Sequence, residues 1–376
     1  MYRSAKTTDE KPPPLIPSCP EAVAFRENGK NFSAHVGQLV LTGYRASWGG
    51  HRHPSHPIAW TGLKTEPTFY LGLSAGGGLK LMDVVKTVDE IRSAVTSARA
   101  RKRVVGLVPT MGALHEGHSR LVERCRADCG FVVVSIFVNP TQFGPLEDFG
   151  RYPRTLAEDL ARCEAAGADL IFAPEVATMY PRGRDGATFV EVPGLSSVLE
   201  GSSRPGHFRG VATVVLKLFA ISQPDAAYFG AKDYQQLAVI RRLVADLDWP
   251  VEVRAVATVR AEDGLALSSR NRYLSPAQRR AAPVLHRALE RARGVVEGGE
   301  RDANRVRQIL VATIESEGLA ELDYAEVVDA ESLGPVAVLT PGRRSVGLVA
   351  VRFGATRLID NADFTVGQDE GCVSRS

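Results

Sequence analysis

Apolar residues in the middle of the chain follow two alternating patterns. Short runs of consecutive apolar residues predict strands buried on both faces, and they lie at 103–108, 131–138 and 169–172. Apolar residues at helical spacing predict amphipathic helices, and they lie at 88–98, 119–129, 155–166, 211–222 and 233–247. Strands that alternate with helices indicate parallel βαβ units. Residues 82–257 are therefore predicted to form an α/β domain with a doubly wound, Rossmann-like parallel sheet that binds a nucleotide.

The order of elements changes after residue 257. Two predicted helices precede three strand-like runs, and these elements lie at 276–297, 302–317, 322–328, 336–339 and 345–351. Pro283 lies inside the first of these helices and is expected to kink or divide it. This order predicts a smaller α+β domain over residues 258–366, and residues 367–376 are expected to form a solvated tail.

The first 81 residues show no sustained helical or strand period. They contain 8 of the 22 prolines and 4 of the 8 histidines, a composition that favours irregular backbone. We expect them to be a disordered or mis-assigned extension of the chain. His51, His53 and His56 are expected to be solvated, because no fourth metal ligand accompanies them.

Composition narrows the class of protein. The chain has 376 residues, of which 44% are hydrophobic and 24% charged, as in globular proteins with a substantial core. No apolar run reaches the roughly 18 residues of a membrane-spanning helix, and a net charge of +3 gives no reason to expect a nucleic-acid partner. The five cysteines are scattered and odd in number, which argues against a disulfide framework and favours the cytoplasm.

The strongest local signal is Val108-Pro-Thr-Met-Gly-Ala-Leu-His-Glu-Gly-His118, which follows a predicted strand and precedes a predicted helix. Ligands of doubly wound sheets bind at this edge, and free N–H groups at a helix start favour phosphate. His115 and His118 can face one pocket as imidazolium donors. Alternatively, this is an ordinary strand-helix turn with two incidental histidines.

A phosphate-binding P-loop is a competing interpretation. Gly112-x-x-x-x-Gly117-His118-Ser119 differs from the P-loop pattern only by histidine in place of lysine. That lysine is a permanent charge on the β- and γ-phosphates, and a neutral histidine replaces it poorly. A P-loop-like kinase is therefore kept as an alternative.

Three further segments carry candidate binding groups. Tyr228-Phe-Gly-Ala-Lys-Asp-Tyr-Gln-Gln236 offers the ammonium of Lys232, a helix cap in Asp233 and two glutamines that can point toward the crevice. Asp263-Gly-Leu-Ala-Leu-Ser-Ser-Arg-Asn271 offers two hydroxyls beside Arg270. Val138-Asn-Pro-Thr-Gln-Phe-Gly144 places Gln142 at the same edge of the sheet.

Two other groups have weaker claims. Arg204-Pro-Gly-His-Phe-Arg-Gly210 supplies two cations that either bind a ligand or only order a loop. The acidic pair Glu158 and Asp159 begins a predicted helix and is expected to be solvated there, where it offsets the helix dipole. A role for this pair in holding Mg²⁺ remains open.

Taken together, these motifs resemble the pantothenate synthetases, which are pantoate–β-alanine ligases within the wider group of His-x-Gly-His nucleotidyltransferases. The resemblance covers roughly residues 82–365 and also includes Tyr152-Pro-Arg-Thr155. It implies that pantoate attacks the α-phosphorus of Mg-ATP to give pantoyl adenylate and pyrophosphate. β-Alanine then displaces AMP to give pantothenate. It also implies a homodimer and Mg²⁺ as the metal.

The resemblance also implies roles for particular residues. His118 is expected to donate a proton, with His115, Lys232 and Arg270 acting beside it. Gln142 and Gln236 are expected to bind pantoate, with Gln142 next to β-alanine and Val259 near adenine. The implied ATP-binding residues are Met111, Gly112, Ala113, Leu114, His115, Glu116, Gly117, His118, Gly230, Ala231, Lys232, Asp233, Val259, Leu267, Ser268, Ser269 and Arg270.

The departures from the family pattern are small. Leu267 stands where the family usually has methionine, a change that nearly conserves volume, and Ser119 replaces a usual leucine. A non-catalytic nucleotide-binding relative remains a second alternative, although the set of candidate catalytic residues is intact.

We expect a chain that begins at Met82 to fold and to keep full turnover. Met82 is the only methionine between Met1 and the histidine motif, and the glycines at 76–78 have codons that can contain a purine-rich ribosome-binding sequence. Intact-mass measurement of the native protein and assay of the shortened chain check this. A native chain that carries residues 1–81, together with an inactive shortened chain, would make the segment functional.

Overall fold

The computed structural model describes residues 23–27, 30–34, 68–73, 79–144, 147–184 and 186–367. The chain divides into two compact units, residues 1–64 and 65–376. In the first unit, β1 (Val23–Glu27) and β2 (Lys30–Ala34) pair as antiparallel strands. Strands therefore occur inside the segment 1–81, where the sequence shows no sustained period. The dispensability of that segment stays a prediction, and His51, His53 and His56 lie outside the described residues.

The second unit is built on a seven-stranded sheet. Its strands are β3 (Thr68–Leu73), β4 (Leu79–Val85), β5 (Val105–Thr110), β6 (Phe131–Ile136), β7 (Leu170–Phe172), β8 (Ala226–Gly230) and β9 (Glu252–Val256). The spatial order is β3-β4-β7-β6-β5-β8-β9. β3 runs antiparallel to β4, and the pairs from β4 to β9 are all parallel. The order from β7 through β5 to β9 is that of a Rossmann fold, which reverses between β5 and β8.

Helices cover both faces of this sheet. They are α1 (Val88–Ala100), α2 (Glu116–Asp128), α3 (Leu156–Ala165), α4 (Val176–Met179), α5 (Glu200–Ser203), α6 (His207–Ser222) and α7 (Tyr234–Asp246). Leu107 of β5 packs in one core with residues of α1, α6 and α7, whereas Val108 packs in another core with residues of α2 and α3. The predicted doubly wound α/β fold is confirmed.

A smaller α+β part follows the sheet. It contains α8 (Pro276–Ala281), α9 (Val284–Glu297), α10 (Ala303–Glu315), β10 (Glu321–Asp329), β11 (Ser345–Phe353) and β12 (Thr356–Asp363). The three strands form an antiparallel sheet in the order β10-β11-β12, and the helices share one apolar core with it. Pro283 divides the predicted first helix into α8 and α9, as expected from its missing N–H.

Two details of this part differ from the sequence prediction. The predicted strand at 336–339 is wrong, because Val338 forms only an isolated bridge with Asp302. The strand β12 was not predicted. Its buried side chains alternate with more exposed ones that include the apolar Ile359, and one buried position is the charged Asp360, which pairs with Arg260. The predicted boundary after residue 257 lies just past β9 and stays a prediction. None of the helices in the described residues is long and apolar enough to cross a membrane.

Candidate active site

The candidate site lies at the carboxyl ends of β5, β6 and β8, which are neighbours in the sheet. The loops after these strands contain the histidine motif, Gln142 and Lys232 respectively. Because the strand order reverses between β5 and β8, a crevice opens there, and this is where doubly wound sheets bind ligands. The tertiary structure thus joins segments that are more than a hundred residues apart in the chain.

Asp159 holds the loop between β5 and α2. Its Oδ2 accepts a hydrogen bond from the Ala113 N–H at 3.0 Å, and its Oδ1 accepts one from the Leu114 N–H at 2.7 Å. Gly112 and Ala113 have φ angles of 79° and 51°, so the loop passes through the left-handed region twice. The prediction that Asp159 is solvated is wrong, since only 1% of it is exposed. Glu158, its neighbour, is exposed as expected.

His115 caps the start of α2. Its Nδ1 accepts a hydrogen bond from the Gly117 N–H at 3.1 Å, while the His115 N–H donates to Nδ1 of His118 at 3.2 Å. This reciprocal arrangement is a capping box built from two imidazoles. It explains why the helix begins at Glu116, three residues before the predicted start at Ser119.

The backbone therefore fixes the tautomer of both rings. Because Nδ1 of His115 and of His118 each accepts a backbone N–H, the ring proton of each neutral imidazole lies on Nε2. The two ring centroids are 4.2 Å apart, and both rings line the crevice. The crevice thus receives two neighbouring N–H donors.

Burial favours the neutral form of both imidazoles. Desolvation, with the charge of Lys232 adding to it, lowers the pKa of His115 to about 4. Desolvation and the neighbouring His115 lower the pKa of His118 to about 3. These lowered pKa values favour neutral N–H donors toward a phosphate, where the sequence analysis expected imidazolium ions.

Gln142 is oriented by Asn139, which the sequence analysis did not single out. The amide nitrogen of Asn139 donates to Oε1 of Gln142 at 3.0 Å and to the Gly210 carbonyl at 3.1 Å. Tyr180 and Thr141 donate to the other side of the Asn139 amide and so fix its orientation. With its carbonyl oxygen engaged, Gln142 keeps its Nε2 for the crevice, where it now contacts Sδ of Met111 at 3.0 Å.

The Arg204 motif orders a loop at the rim of the crevice. Arg204 binds Glu147 through two nitrogens, at 2.7 and 2.6 Å. His207 accepts from Arg204 at Nε2 and donates from Nδ1 to the Gln142 carbonyl at 2.8 Å. Desolvation, reinforced by the Arg204 charge, lowers the pKa of His207 to about 4. Of the two open interpretations, these contacts support the ordering of a loop.

The loop after β8 is held from the C-terminal part of the chain. Nδ2 of Asn361, on β12, donates to the carbonyls of Ala231 and Lys232 at 3.0 and 2.8 Å. Lys232 is therefore presented to the crevice, with its Nζ 3.8 Å from Oδ1 of Asp233. Asp233 occupies the cap position of α7 but makes no side-chain capping hydrogen bond, contrary to expectation.

The two glutamines of this segment, Gln235 and Gln236, have different surroundings in the structure. Gln236 lines the crevice, as predicted. Gln235 is buried, and its amide bonds the Leu195 and Val198 carbonyls and the Glu200 N–H at 2.7, 2.8 and 3.0 Å. It therefore supports the loop before α5 instead of offering a free amide to a ligand.

The Ser268–Arg270 segment forms the remaining wall. Oγ of Ser268 accepts the Arg270 N–H at 3.2 Å and so caps a 3-10 turn over Ser269–Tyr273. The hydroxyl proton of Ser268 stays available to a ligand. The Leu267 N–H donates to the Val259 carbonyl at 2.9 Å, which brings these two predicted nucleotide contacts together.

The predicted residues converge on one cavity of about 200 Å³. Those that line it are Met111, His115, Gly117, His118, Gln142, Gly230, Lys232, Asp233, Gln236, Val259, Leu267, Ser268, Ser269 and Arg270. Five predicted ATP-binding residues do not line it, namely Gly112, Ala113, Leu114, Glu116 and Ala231. Gly112, Ala113 and Leu114 are buried behind the histidine loop, and Glu116 is exposed.

Metal-ligating side chains are sparse in this region. Within the described ranges, no group of three or more histidine, cysteine, aspartate or glutamate side chains is placed to hold a metal ion. Both carboxylate oxygens of Asp159 already accept backbone N–H groups. The residues present therefore fit a Mg²⁺ ion that arrives on the phosphates of ATP better than one held in a protein cage.

A Rossmann-like sheet with paired histidines, a lysine and a Ser-Ser-Arg segment at its switch point defines a nucleotide-binding enzyme of the His-x-Gly-His type. The family model described as pantoate-beta-alanine ligase matches residues 83–363. The chain belongs to this family, whose members are ATP-dependent ligases that join pantoate to β-alanine. The P-loop kinase alternative is set aside accordingly.

Individual relatives match over nearly their whole length. The pantothenate synthetase of Heliobacterium modesticaldum is 54% identical over 280 residues, which is 74% of this chain and 98% of the relative. That of Pseudomonas fluorescens is 54% identical over 286 residues, 76% of this chain and 100% of the relative.

Solved structures agree with these matches. The crystal structure of the pantothenate synthetase from Thermus thermophilus has a TM-score of 0.70 at 51% identity and covers 75% of this chain and 99% of its own. A Francisella tularensis pantoate-beta-alanine ligase, described as complexed with beta-gamma ATP and beta-alanine, has a TM-score of 0.61 at 32% identity. The match covers 75% of this chain and 98% of that chain.

We expect His115 and His118 to remain neutral, with the proton on Nε2, at about pH 5, where an ordinary histidine of pKa about 6.5 is mostly protonated. Nitrogen-15 NMR of the imidazoles measures both the charge and the tautomer. Because the unfolded chain takes up these protons below about pH 6.5 and the folded chain does not, stability should fall as the pH drops from about 6.5 toward 4. Imidazolium shifts for both rings at about pH 5 would contradict the assignment.

Proposed function

We propose that this crevice is where the chain joins pantoate to β-alanine, through pantoyl adenylate and with release of pyrophosphate and AMP. The observation that carries the proposal is the convergence of two Nε2–H donors with Lys232 and Arg270 in one cavity that is also lined by Gln142 and Gln236. Cationic and N–H donors suit developing phosphate charge, whereas neutral amides suit a small hydroxy acid.

In the first step, a pantoate carboxylate oxygen attacks the α-phosphorus of Mg-ATP. The bond from this phosphorus to the β-phosphate oxygen breaks, and pyrophosphate leaves with the electron pair. His118 and His115 donate from Nε2 to the phosphate oxygens on which charge builds, and Lys232 and Arg270 add positive charge. The donors are fixed before the substrate arrives, so little reorganisation is needed.

The nucleotide is proposed to bind along three segments of the crevice wall. The loop 111–118 faces the phosphates with the Nε2–H groups of His115 and His118, since most of its backbone N–H groups are already bonded within the protein. The segments 230–233 and 267–270 line the nucleotide on the other side, with Val259 near adenine. Gly112, Ala113, Leu114, Glu116 and Ala231 do not line the cavity, so their contacts with ATP stay predictions.

Pantoate is proposed to lie between Gln142 and Gln236. Gln142 presents its Nε2 because its oxygen is engaged by Asn139. In the second step, the amine of β-alanine, beside Gln142, attacks the activated carbonyl carbon. The carbon–oxygen bond to the phosphate breaks, AMP leaves with the electron pair, and the amine loses a proton.

Three further proposals concern context. Mg²⁺ enters as Mg-ATP, which fits the lack of a three-ligand cluster among the described residues. A cytoplasmic location of the protein is proposed because three buried cysteines, Cys125, Cys129 and Cys163, are free thiols. A homodimer is proposed on the family resemblance alone.

The direct test is isotope exchange between pyrophosphate and ATP, which requires pantoate if an adenylate forms, followed by AMP release that requires β-alanine. Exchange without pantoate, or phosphorylated pantoate as the product, would contradict the proposal. Binding of ATP without exchange or turnover would indicate the non-catalytic relative.

We expect His118→Ala to abolish adenylate formation while the fold is kept. Loss of one such donor typically lowers the rate about a hundredfold or more. Pantoate-dependent exchange measures the step, and circular dichroism with thermal unfolding checks the fold. His286→Ala, outside the cavity, serves as the histidine control. Near-normal adenylate production by His118→Ala would contradict its role.

We expect Gln142→Ala and Gln236→Ala to raise the KM for pantoate by about tenfold or more, with a much smaller change in the KM for ATP. Each variant removes an amide that can bond a carboxylate or hydroxyl, an interaction of about 1.5 kcal/mol or more when the partner is charged. Gln235→Ala is a poor control because Gln235 supports a loop, so Gln308→Ala, at an exposed position of α10 outside both cavities, is used. Equal rises for both substrates would argue against the assignment.

A further inference from the structure

A second, larger cavity adjoins the proposed catalytic one. It has a volume of about 770 Å³ and is lined by residues of the sheet domain and of the C-terminal strands β10, β11 and β12. Seven residues line both cavities and so stand at their junction, namely Arg204, His207, Lys232, Asp233, Gln236, Ser268 and Arg270. A ligand group that extends from the histidine pair past Lys232, Ser268 and Arg270 enters the larger cavity.

The carboxylates of the larger cavity are mostly neutralised. Glu147 pairs with Arg204 at 2.6 Å, Glu200 with Arg357 at 2.6 Å, and Asp360 with Arg260 at 2.5 Å. These pairs are within or near the protein interior, since the carboxylate side chains are 23%, 8% and 2% exposed. Apart from Asp233 beside Lys232, they leave no unpaired carboxylate among the described residues of the lining.

Arg352, unlike the arginines in these pairs, lines the larger cavity without a carboxylate partner among the described residues. It lies on β11, is exposed, and lines the larger cavity. Its cross-strand neighbours are Glu321 and Arg357, and Arg357 is already engaged by Glu200 and Asp323. Among the residues that the structure describes, no ion pair joins Arg352 to Glu321 or to any other carboxylate. Its positive charge therefore faces the cavity without compensation.

We propose that Arg352 and the larger cavity form a subsite for pyrophosphate, which receives the leaving group of the adenylation step and is its exit route. This inference rests on the proposed function. The leaving group must depart on the side of the α-phosphorus opposite to the attacking carboxylate, and so away from Gln142, which lines only the smaller cavity. From the junction at Lys232, Ser268 and Arg270, the larger cavity provides room and an added cation for it.

The chemistry of the lining favours this anion over β-alanine. β-Alanine is a zwitterion and needs a carboxylate for its ammonium as well as a cation for its carboxylate. Apart from Asp233, which lies 3.8 Å from Lys232, the carboxylates of the cavity are held in the arginine pairs, whereas Arg352 has no such partner among the described residues. An unmatched guanidinium, which can bond two phosphate oxygens at once, suits a polyanion.

The test compares Arg352→Gln with wild type in pantoate-dependent exchange of labelled pyrophosphate into ATP. We expect the half-saturating concentration of pyrophosphate to rise about fivefold to tenfold, as suits one exposed charged contact. Product inhibition by pyrophosphate should weaken by a similar factor. The KM values for pantoate and β-alanine should stay within about twofold, and Arg352→Lys should recover part of the pyrophosphate affinity.

Arg287→Gln is the matched control, because Arg287 is exposed on α9 and lines neither cavity. An unchanged pyrophosphate requirement in Arg352→Gln would overturn the inference, as would a rise confined to pantoate or β-alanine. Failure of the wild-type chain to exchange at all would instead contradict the proposed function. Calorimetric titration of inorganic pyrophosphate alone onto the wild type and Arg352→Gln gives a second readout that does not depend on turnover.

Discussion

The geometry of the crevice depends on the carboxylate of Asp159. The loop after β5 passes through the left-handed region at Gly112 and also at Ala113, where a side chain makes it costly by about 1 to 2 kcal/mol. Two charge-assisted hydrogen bonds that the Asp159 carboxylate accepts, each contributing about 1.5 kcal/mol or more, offset this cost and satisfy two buried N–H groups. The loop can therefore hold a single conformation, and His115 reaches the position from which it begins α2.

The chemistry of the histidine pair follows from that position. Each Nδ1 accepts a backbone N–H, so each Nε2 is a donor, and desolvation keeps both rings neutral by lowering the pKa of each. Neutral donors cost less to desolvate than imidazolium ions would, and the fixed charge is supplied by Lys232 and Arg270 instead. The site thus separates two tasks, directional hydrogen bonding and charge compensation, between different residues.

Contacts from the C-terminal part complete the crevice. Asn361 holds the carbonyls of Ala231 and Lys232, and Glu200 bonds Tyr324 and Arg357 at 2.8 and 2.6 Å. Burial and the adjacent Glu200 carboxylate raise the pKa of Tyr324, so its hydroxyl remains a donor in this cluster. Because these contacts cross between the parallel sheet and β10–β12, the two walls of the larger cavity have a defined separation.

The sequence by itself determined the α/β class, most helices to within a few residues, and many of the polar residues that line the crevice. It could do so because hydrophobic period and the position of a loop at a strand end are local properties, and because the motifs are collinear with a known family. Only the tertiary structure decided the roles of Asp159, Asn139, Gln235 and Asn361. Each of these acts on a distant part of the chain or on its own backbone neighbours through one side-chain orientation, and residue spacing carries no information about such orientations. The charge of the histidines was decided in the same way, because desolvation depends on everything that packs around a ring and not on the residues next to it in sequence.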